Sequence, residues 1–117
     1  MRSRRGELRL VDLDPARGSE ANKRRPVIIV SNDGANGAAG RLGRGVLTVV
    51  PVTSSIDRVY PFQVLLPAVR TGLAQASKDQ AEQVRAVAVE RIGAQVGALP
   101  SDFMTSLDEA LRLHLAL

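Results

Sequence analysis

The sequence predicts a mainly β chain with helices: a small, strongly bent sheet or partly closed barrel with one amphipathic helix packed beside it. Three observations carry that expectation. Six or seven short alternating or β-branched runs are separated by turns marked with glycine and proline. A single run of helical period closes the chain. No connection before Pro100 reads as the crossover helix that a parallel sheet needs, so strands followed by a helix argue against a doubly wound fold.

From Gly6 to Leu13, Leu8 and Leu10 alternate with charged neighbours, as in a half-buried strand, and Asp14-Pro15 ends it. Arg17 to Arg25 is a polar connection carrying the densest charge in the chain. Val27 to Ser31 is a β-branched run suited to a strand buried on both faces. The segment from Asn32 to Gly45, with Gly34, Gly37, Gly40 and Gly43, reads as a loop holding at most one helical turn. A third strand runs from Val46 to Val52 and stops at Thr53, followed by a turn or mobile loop over Ser54 to Val59.

Pro61 to Leu66 alternates again, and Leu73 to Ser77 and Glu82 to Val89 are weaker strand candidates. In the latter, Val84, Ala86 and Ala88 share one face and Arg85, Val87 and Val89 the other. Val96 and Leu99 belong to a last short strand. Ser101 reads as an N-cap, with Asp102 complementing the helix dipole, before Met104, Leu107, Leu111 and Leu115 recur at helical spacing.

The 117 residues, 44% of them hydrophobic, supply one core and too little length for two, so residues 1–117 read as a single domain. No stretch approaches the roughly 18 consecutive apolar residues of a membrane span. No apolar signal core follows the basic N-terminus, and a cytoplasmic protein without membrane contact is expected. With no cysteine and one histidine, disulfides, thiolate nucleophiles and multi-histidine metal clusters are excluded, and neither a metal nor another cofactor is expected. The net charge of +4 is concentrated: residues 1–25 hold eight of the sixteen basic side chains against Glu7, Asp12, Asp14 and Glu20. Such a distribution suits a polyanion partner. Tyr60, Phe62 and Phe103 are the only aromatics, a poor supply for an extended base-stacking platform.

Two segments place phosphate-competent groups at the ends of buried strands. Lys23-Arg24-Arg25-Pro26 leads into Val27–Asp33, and Val46–Val50 leads out to Pro51-Val52-Thr53-Ser54. An arginine fork holds a phosphate bidentately, and threonine and serine hydroxyls donate to a charged oxygen without ionising. RNA carries its own nucleophile, the 2′-hydroxyl, so an enzyme acting on it needs in-line alignment, charge stabilisation at phosphorus and some proton transfer. Electrostatic stabilisation is the role that suits arginine, whose pKa above about 12 makes it a poor base. Glu82 or Glu20 acting through water, or solvent itself, are the candidate bases. His114 lies near the end of the helix, where the dipole favours its protonated form, and has a structural reading. Glu82-Gln83 could equally be ordinary strand residues, although glutamine offers the two-sided hydrogen bonding that base edges require.

In order along the chain stand Gly6-Glu7 with Val11-Asp12-Leu13-Asp14-Pro15, Gly18-Ser19-Glu20 before Arg25-Pro26, and Val30-Ser31-Asn32-Asp33. Then come Pro51-Val52-Thr53-Ser54, Glu82-Gln83-Val84-Arg85 and Leu107-Asp108-Glu109-Ala110-Leu111. With these motifs, from Arg5 to Leu117, the chain resembles the MazF/PemK family of toxin–antitoxin endoribonucleases. The resemblance implies a small SH3-like barrel of the CcdB/PemK type, a homodimer, and metal-independent cleavage of single-stranded RNA at a short recognition sequence. It also implies a cognate MazE-like antitoxin, whose flexible acidic segment would use the same basic groove. Arg25 and Thr53 match the family's catalytic arginine and threonine, and Glu20, Ser54, Glu82 and Gln83 match positions lining its RNA groove. Lys23 and Arg24 add cationic contacts for RNA.

Two departures stand out. Arg9 follows Leu8 where similar proteins often carry an aromatic residue, so that edge of the first strand should pack differently. The family's common Gln-Gly-Gly-X-Arg-Pro loop appears as Ala21-Asn22-Lys23-Arg24-Arg25-Pro26, without its glycines, and should be stiffer and more cationic. Two other readings compete: a topoisomerase poison like the CcdB proteins, which share the barrel, and an RNA-binding barrel without activity. The first works through a C-terminal Trp-Gly-Ile tail, whereas this chain ends His114-Leu115-Ala116-Leu117 and has no tryptophan.

Overall fold

A computed structural model describes residues 3–117. Its seven strands are β1 (Glu7–Asp12), β2 (Arg24–Ile29), β3 (Val46–Thr53), β4 (Leu65–Leu66), β5 (Ser77–Asp79), β6 (Arg85–Ala88) and β7 (Ile92–Ala98). Three helices accompany them: α1 (Asp33–Leu42), α2 (Ala68–Thr71) and α3 (Ser101–Leu115). The strands join in the order β4-β5-β3-β2-β1-β7, with β6 also paired to β3. Every pairing is antiparallel. β3 does most of the joining: its first half pairs with β6, its middle with β2 and its last two residues with β5. A strand that changes partners along its length curls the sheet, which is the bent half-barrel the strand-rich sequence predicts.

Both faces of the curl are covered, and β2 shows why its sequence is an unbroken β-branched run. Ile28 points into one core with Leu8, Val50, Val52, Leu66, Leu99, Leu107 and Ala110. Val27 and Ile29 point into the other with Val11, Leu13, Ala39, Leu47, Val49, Val87 and Ile92. Leu107 and Ala110 are the buried residues of α3. Fully burying a leucine or isoleucine contributes about 1.5–3 kcal/mol, so β2, with Val27, Ile28 and Ile29 all at 0% exposure, anchors both layers.

The largest departure from expectation is the segment after β2. Asn32–Gly45 is not a loop with at most one helical turn; Asp33–Leu42 forms the ten-residue helix α1. Asn32 caps it, its Oδ1 accepting the Ala35 amide at 2.8 Å, and Gly43 closes it with a left-handed φ of 64°. The glycines lower helix propensity, but Asn36, Gly37 and Ala39 are buried against the sheet and tertiary contact outweighs that cost. Asn36 also donates from Nδ2 to the Ser31 carbonyl at 2.8 Å, tying the helix to the end of β2. Although α1 intervenes between β2 and β3, that pair remains antiparallel.

Smaller corrections follow the same logic. Of the alternating run Pro61–Leu66 only Leu65–Leu66 pairs, and the strand expected over Leu73–Ser77 lies at Ser77–Asp79. A 3-10 turn, Ala81–Gln83, occupies the start of the Glu82–Val89 candidate, leaving Arg85–Ala88 as β6 with Val87 inward and Ala86 exposed. Ser101 is the first residue of α3 and not its cap; Pro100 holds the cap position and no side chain caps the helix. Arg9 is largely buried at the position where similar proteins often carry an aromatic residue. It lies down on the sheet, ion-paired with Glu7 at 2.9 Å and donating to the Gly93 carbonyl of β7 at 3.2 Å.

Candidate active site

Lys23–Pro26 at the start of β2, Val52–Ser54 at the end of β3 and the Leu73–Ser77 approach to β5 enclose an open cleft of about 340 Å³. Antiparallel pairing explains why segments far apart in sequence meet here. Val27 pairs with Pro51, and continuing that register brings Arg25 opposite Thr53. On its other side Thr53 pairs with Lys78 of β5. Thus Lys23, Arg24, Arg25, Thr53 and Ser54, five of the eight residues singled out in the sequence, line one cleft.

Arg25 is partly buried, and its guanidinium is held by Asn22: Nε donates to the Asn22 carbonyl at 2.7 Å and Nη2 to Asn22 Oδ1 at 3.1 Å. Neither Glu20 nor Asp33 is ion-paired with it. Glu20 accepts the Arg17 amide at 3.1 Å, and Asp33 accepts the Arg5 amide at 2.6 Å. Thr53 Oγ1 accepts the Ser55 amide at 3.2 Å, a local turn bond that leaves its own proton free to donate. Lys23 is exposed and adopts a left-handed φ of 64° at a position where the family loop carries glycine. Arg24 lines the cleft, but its guanidinium extends to within 3.7 Å of where a Cβ on Gly93 would sit. Strand alternation sends its charge toward β7.

The remaining three, Glu20, Glu82 and Gln83, sit outside the cleft lining, as does His114. Gln83 engages the Arg17–Arg25 connection, accepting the Ala21 amide at 3.0 Å and donating to the Ser19 carbonyl at 2.8 Å. Glu82 accepts two bonds from Gln63 Nε2, at 3.1 and 3.0 Å. His114 tilts against Phe62 on the exposed end of α3. Phe62 stacks on Tyr60 with ring centres 5.3 Å apart.

Sequence reasoning missed Asn22, which meets Arg25 three residues on through the turn into β2, and the Leu73–Ser77 wall, which carries no local signal and is brought in by the pairing of β5 with β3. It also missed Asp79. That side chain is fully buried opposite Val52, and neither carboxyl oxygen has a hydrogen-bond partner. Burial pushes its pKa from 3.8 up to about 7, opposed by the backbone of Val64 and Ala81 and reinforced by the Glu82 charge. No carboxylate and no imidazole lines the cleft. Among the described residues no three His, Cys, Asp or Glu side chains gather into a metal-binding group. What the cleft offers a ligand is positive charge and neutral hydroxyl donors.

Residues 4–115 match the family of PemK-like, MazF-like toxins of type II toxin–antitoxin systems. The chain belongs to that family. Endoribonuclease MazF9 of Mycobacterium tuberculosis is 61% identical to this toxin over 114 residues, 97% of each chain. The crystal structure of MazF (Form-I) from Deinococcus radiodurans superimposes with a TM-score of 0.81 at 27% identity, covering 100% of this toxin and 99% of that chain. A MazE-MazF structure (Form-III) from the same organism gives a TM-score of 0.75 at 26% identity, covering 100% of this toxin and 99% of that chain. Among the toxin's described residues no helix is long and apolar enough to cross a membrane.

Proposed function

We infer that this toxin is an endoribonuclease, the active member of a toxin–antitoxin pair, and that it cleaves single-stranded RNA in the cleft between β2 and β3. The observation that carries the site is that Arg25 of β2 and Thr53 of the neighbouring antiparallel β3 line one cleft without acidic side chains. The 61% identical MazF9 is named an endoribonuclease, which supports the activity.

In this reading the RNA 2′-oxygen attacks phosphorus in line, the bond to the 5′-oxygen breaks, and the products are a 2′,3′-cyclic phosphate and a 5′-hydroxyl. Arg25 binds the non-bridging oxygens and gains strength as charge develops there, and Thr53 donates its hydroxyl to the same charge. Solvent takes the 2′-proton and returns one to the leaving oxygen. Glu82, bonded to Gln63, and Glu20, bonded to the Arg17 amide, both lie outside the cleft lining. Lys23, Arg24 and Ser54 hold the flanking backbone, while Glu20, Glu82 and Gln83 act by shaping the groove's edge. No step calls for a metal or another cofactor.

The MazE-MazF relative supports a cognate antitoxin; the charge of the cleft suits an acidic antitoxin segment that competes with RNA for it. The toxin works in the cytoplasm as a homodimer, one domain of residues 1–117 in each copy. Light scattering that returned the single-chain mass of 12.5 kDa at micromolar concentration would overturn the dimer.

The direct test incubates the protein with a long single-stranded RNA in EDTA, beside Arg25→Ala and Thr53→Ala, and maps the fragment ends. Discrete cuts with 5′-hydroxyl ends, lost in both variants, are expected. Binding without cuts would reveal a barrel that only binds, and cuts surviving both substitutions would move the site elsewhere.

A further inference from the structure

We infer that Asn22 is the positioning residue for Arg25, fixing the guanidinium that the proposed reaction depends on. Asn22 stands where the family's Gln-Gly-Gly-X-Arg-Pro loop has glycine, which has a carbonyl but no side-chain acceptor. Here both acceptors come from one residue: the carbonyl takes the Nε–H at 2.7 Å and Oδ1 takes an Nη2–H at 3.1 Å. The Nε/Nη2 edge of the fork is thereby closed, and its remaining N–H groups are left for a ligand in the cleft that Arg25 lines. This assignment rests on the proposed role of Arg25 and specifies how this chain delivers it.

Two further observations and one physical argument support it. Asn22 is itself anchored on both sides. The Ala21 amide donates to Gln83 Oε1, while the Lys23 amide donates to Asp14 Oδ1 at 2.9 Å and the Lys23 carbonyl accepts the Leu13 amide at 3.0 Å. The clamp is therefore mounted on held peptide units. Second, both acceptors are neutral. Asp14 and Glu20, the carboxylates of this loop, are occupied by backbone amides of Lys23 and Arg17, so no anion offsets the Arg25 charge. Third, a long arginine side chain loses rotamer entropy when it is fixed. Fixing it during folding removes that cost from the chemical step, which is how preorganised donors accelerate a reaction. The effect therefore belongs in the rate constant of bound RNA and not in affinity.

The test is a double-mutant cycle read by single-turnover cleavage, with enzyme in excess over a transcript whose cuts were mapped with the unmodified protein. Asn22→Ala should lower the saturated rate constant about tenfold, leave the half-saturating enzyme concentration unchanged, and keep the thermal midpoint. In an Arg25→Ala background the same substitution should cost nothing further. An equal loss in both backgrounds, a change in half-saturation alone, or no loss at all would overturn the role of Asn22 while leaving Arg25 catalytic. An Arg25→Ala protein as active as the unmodified one would overturn the active-site reading itself. A second measurement needs no turnover: nitrogen NMR of the Arg25 guanidinium should show hindered rotation of Nη2 that Asn22→Ala releases, and rotation equally hindered in both proteins would contradict the clamp.

Discussion

Arg25 and Thr53 contribute different groups to the same developing charge, and their substitutions should differ in what else they disturb. Arg25→Ala removes a full charge and a fork, whereas Thr53→Ala removes one neutral donor and a local turn bond to the Ser55 amide. Each should raise the barrier by about 3–4 kcal/mol, the usual cost of losing an oxyanion donor, measured as the single-turnover rate constant on mapped RNA. Arg25→Lys should restore little, because an ammonium cannot reproduce the pair of bonds to Asn22. Asp79 calls for a different measurement. Its folded pKa of about 7 lies above its ordinary 3.8, so the protonated acid is favoured by the fold. The stability this contributes is fully present below 3.8 and is lost as pH rises through about 7. Urea midpoints should therefore fall between pH 5 and pH 8, and Asp79→Asn should fall distinctly less over the same range. An unchanged slope in the variant would trace the pH dependence to other groups.

At the scale of elements, small residues decide where the helices sit. α1 is legible from its ends, Asn32 and Asp33 at the start and Gly43 after the stop, and illegible from its middle, where glycine and alanine carry little periodic signal. Asn32→Ala should cost about 1 kcal/mol, the ordinary loss of a cap, measured by denaturant unfolding. Gly97 is more severely constrained. A Cβ there would lie 2.1 Å from the Thr71 carbonyl, so α2 rests directly on β7. Gly97→Ala should lower stability by about 1–3 kcal/mol, beyond the Asn32 change, because backbone and not a pliable side chain must move. Equal effects of the two would mean that the α2–β7 contact yields easily. The short strands β4 and β5 differ from their expected extents because β5 pairs with the tip of β3 and β4 pairs only with β5, partnerships local alternation does not encode.

Over the whole molecule, charge and topology converge on one end of the sheet. Lys23→Ala with Arg24→Ala should weaken binding of both RNA and an acidic antitoxin segment, and should shallow the dependence of log affinity on log salt by about one unit per charge for RNA. Unchanged affinities and slopes would separate the antitoxin site from the RNA site. Much of this was open to reading along the chain. Strand-rich architecture, the two-faced burial of Val27–Ile29, the closing helix over Met104–Leu115 and the phosphate-competent groups of Lys23–Arg25 and Thr53-Ser54 all depend on residues near one another in sequence. Periodicity, β-branching and charge runs are local properties, and the sequence by itself determined them. Only the tertiary structure decided that Arg25 and Thr53 line one cleft, that Asn22 occupies one edge of the Arg25 fork, and that Gln83 holds the connecting loop. It alone decided that the Asp79 carboxyl lies buried without a hydrogen-bond partner beneath the same strand end. These follow from strand register and side-chain direction, which are fixed when distant segments bury their apolar faces together, and no single segment carries that information.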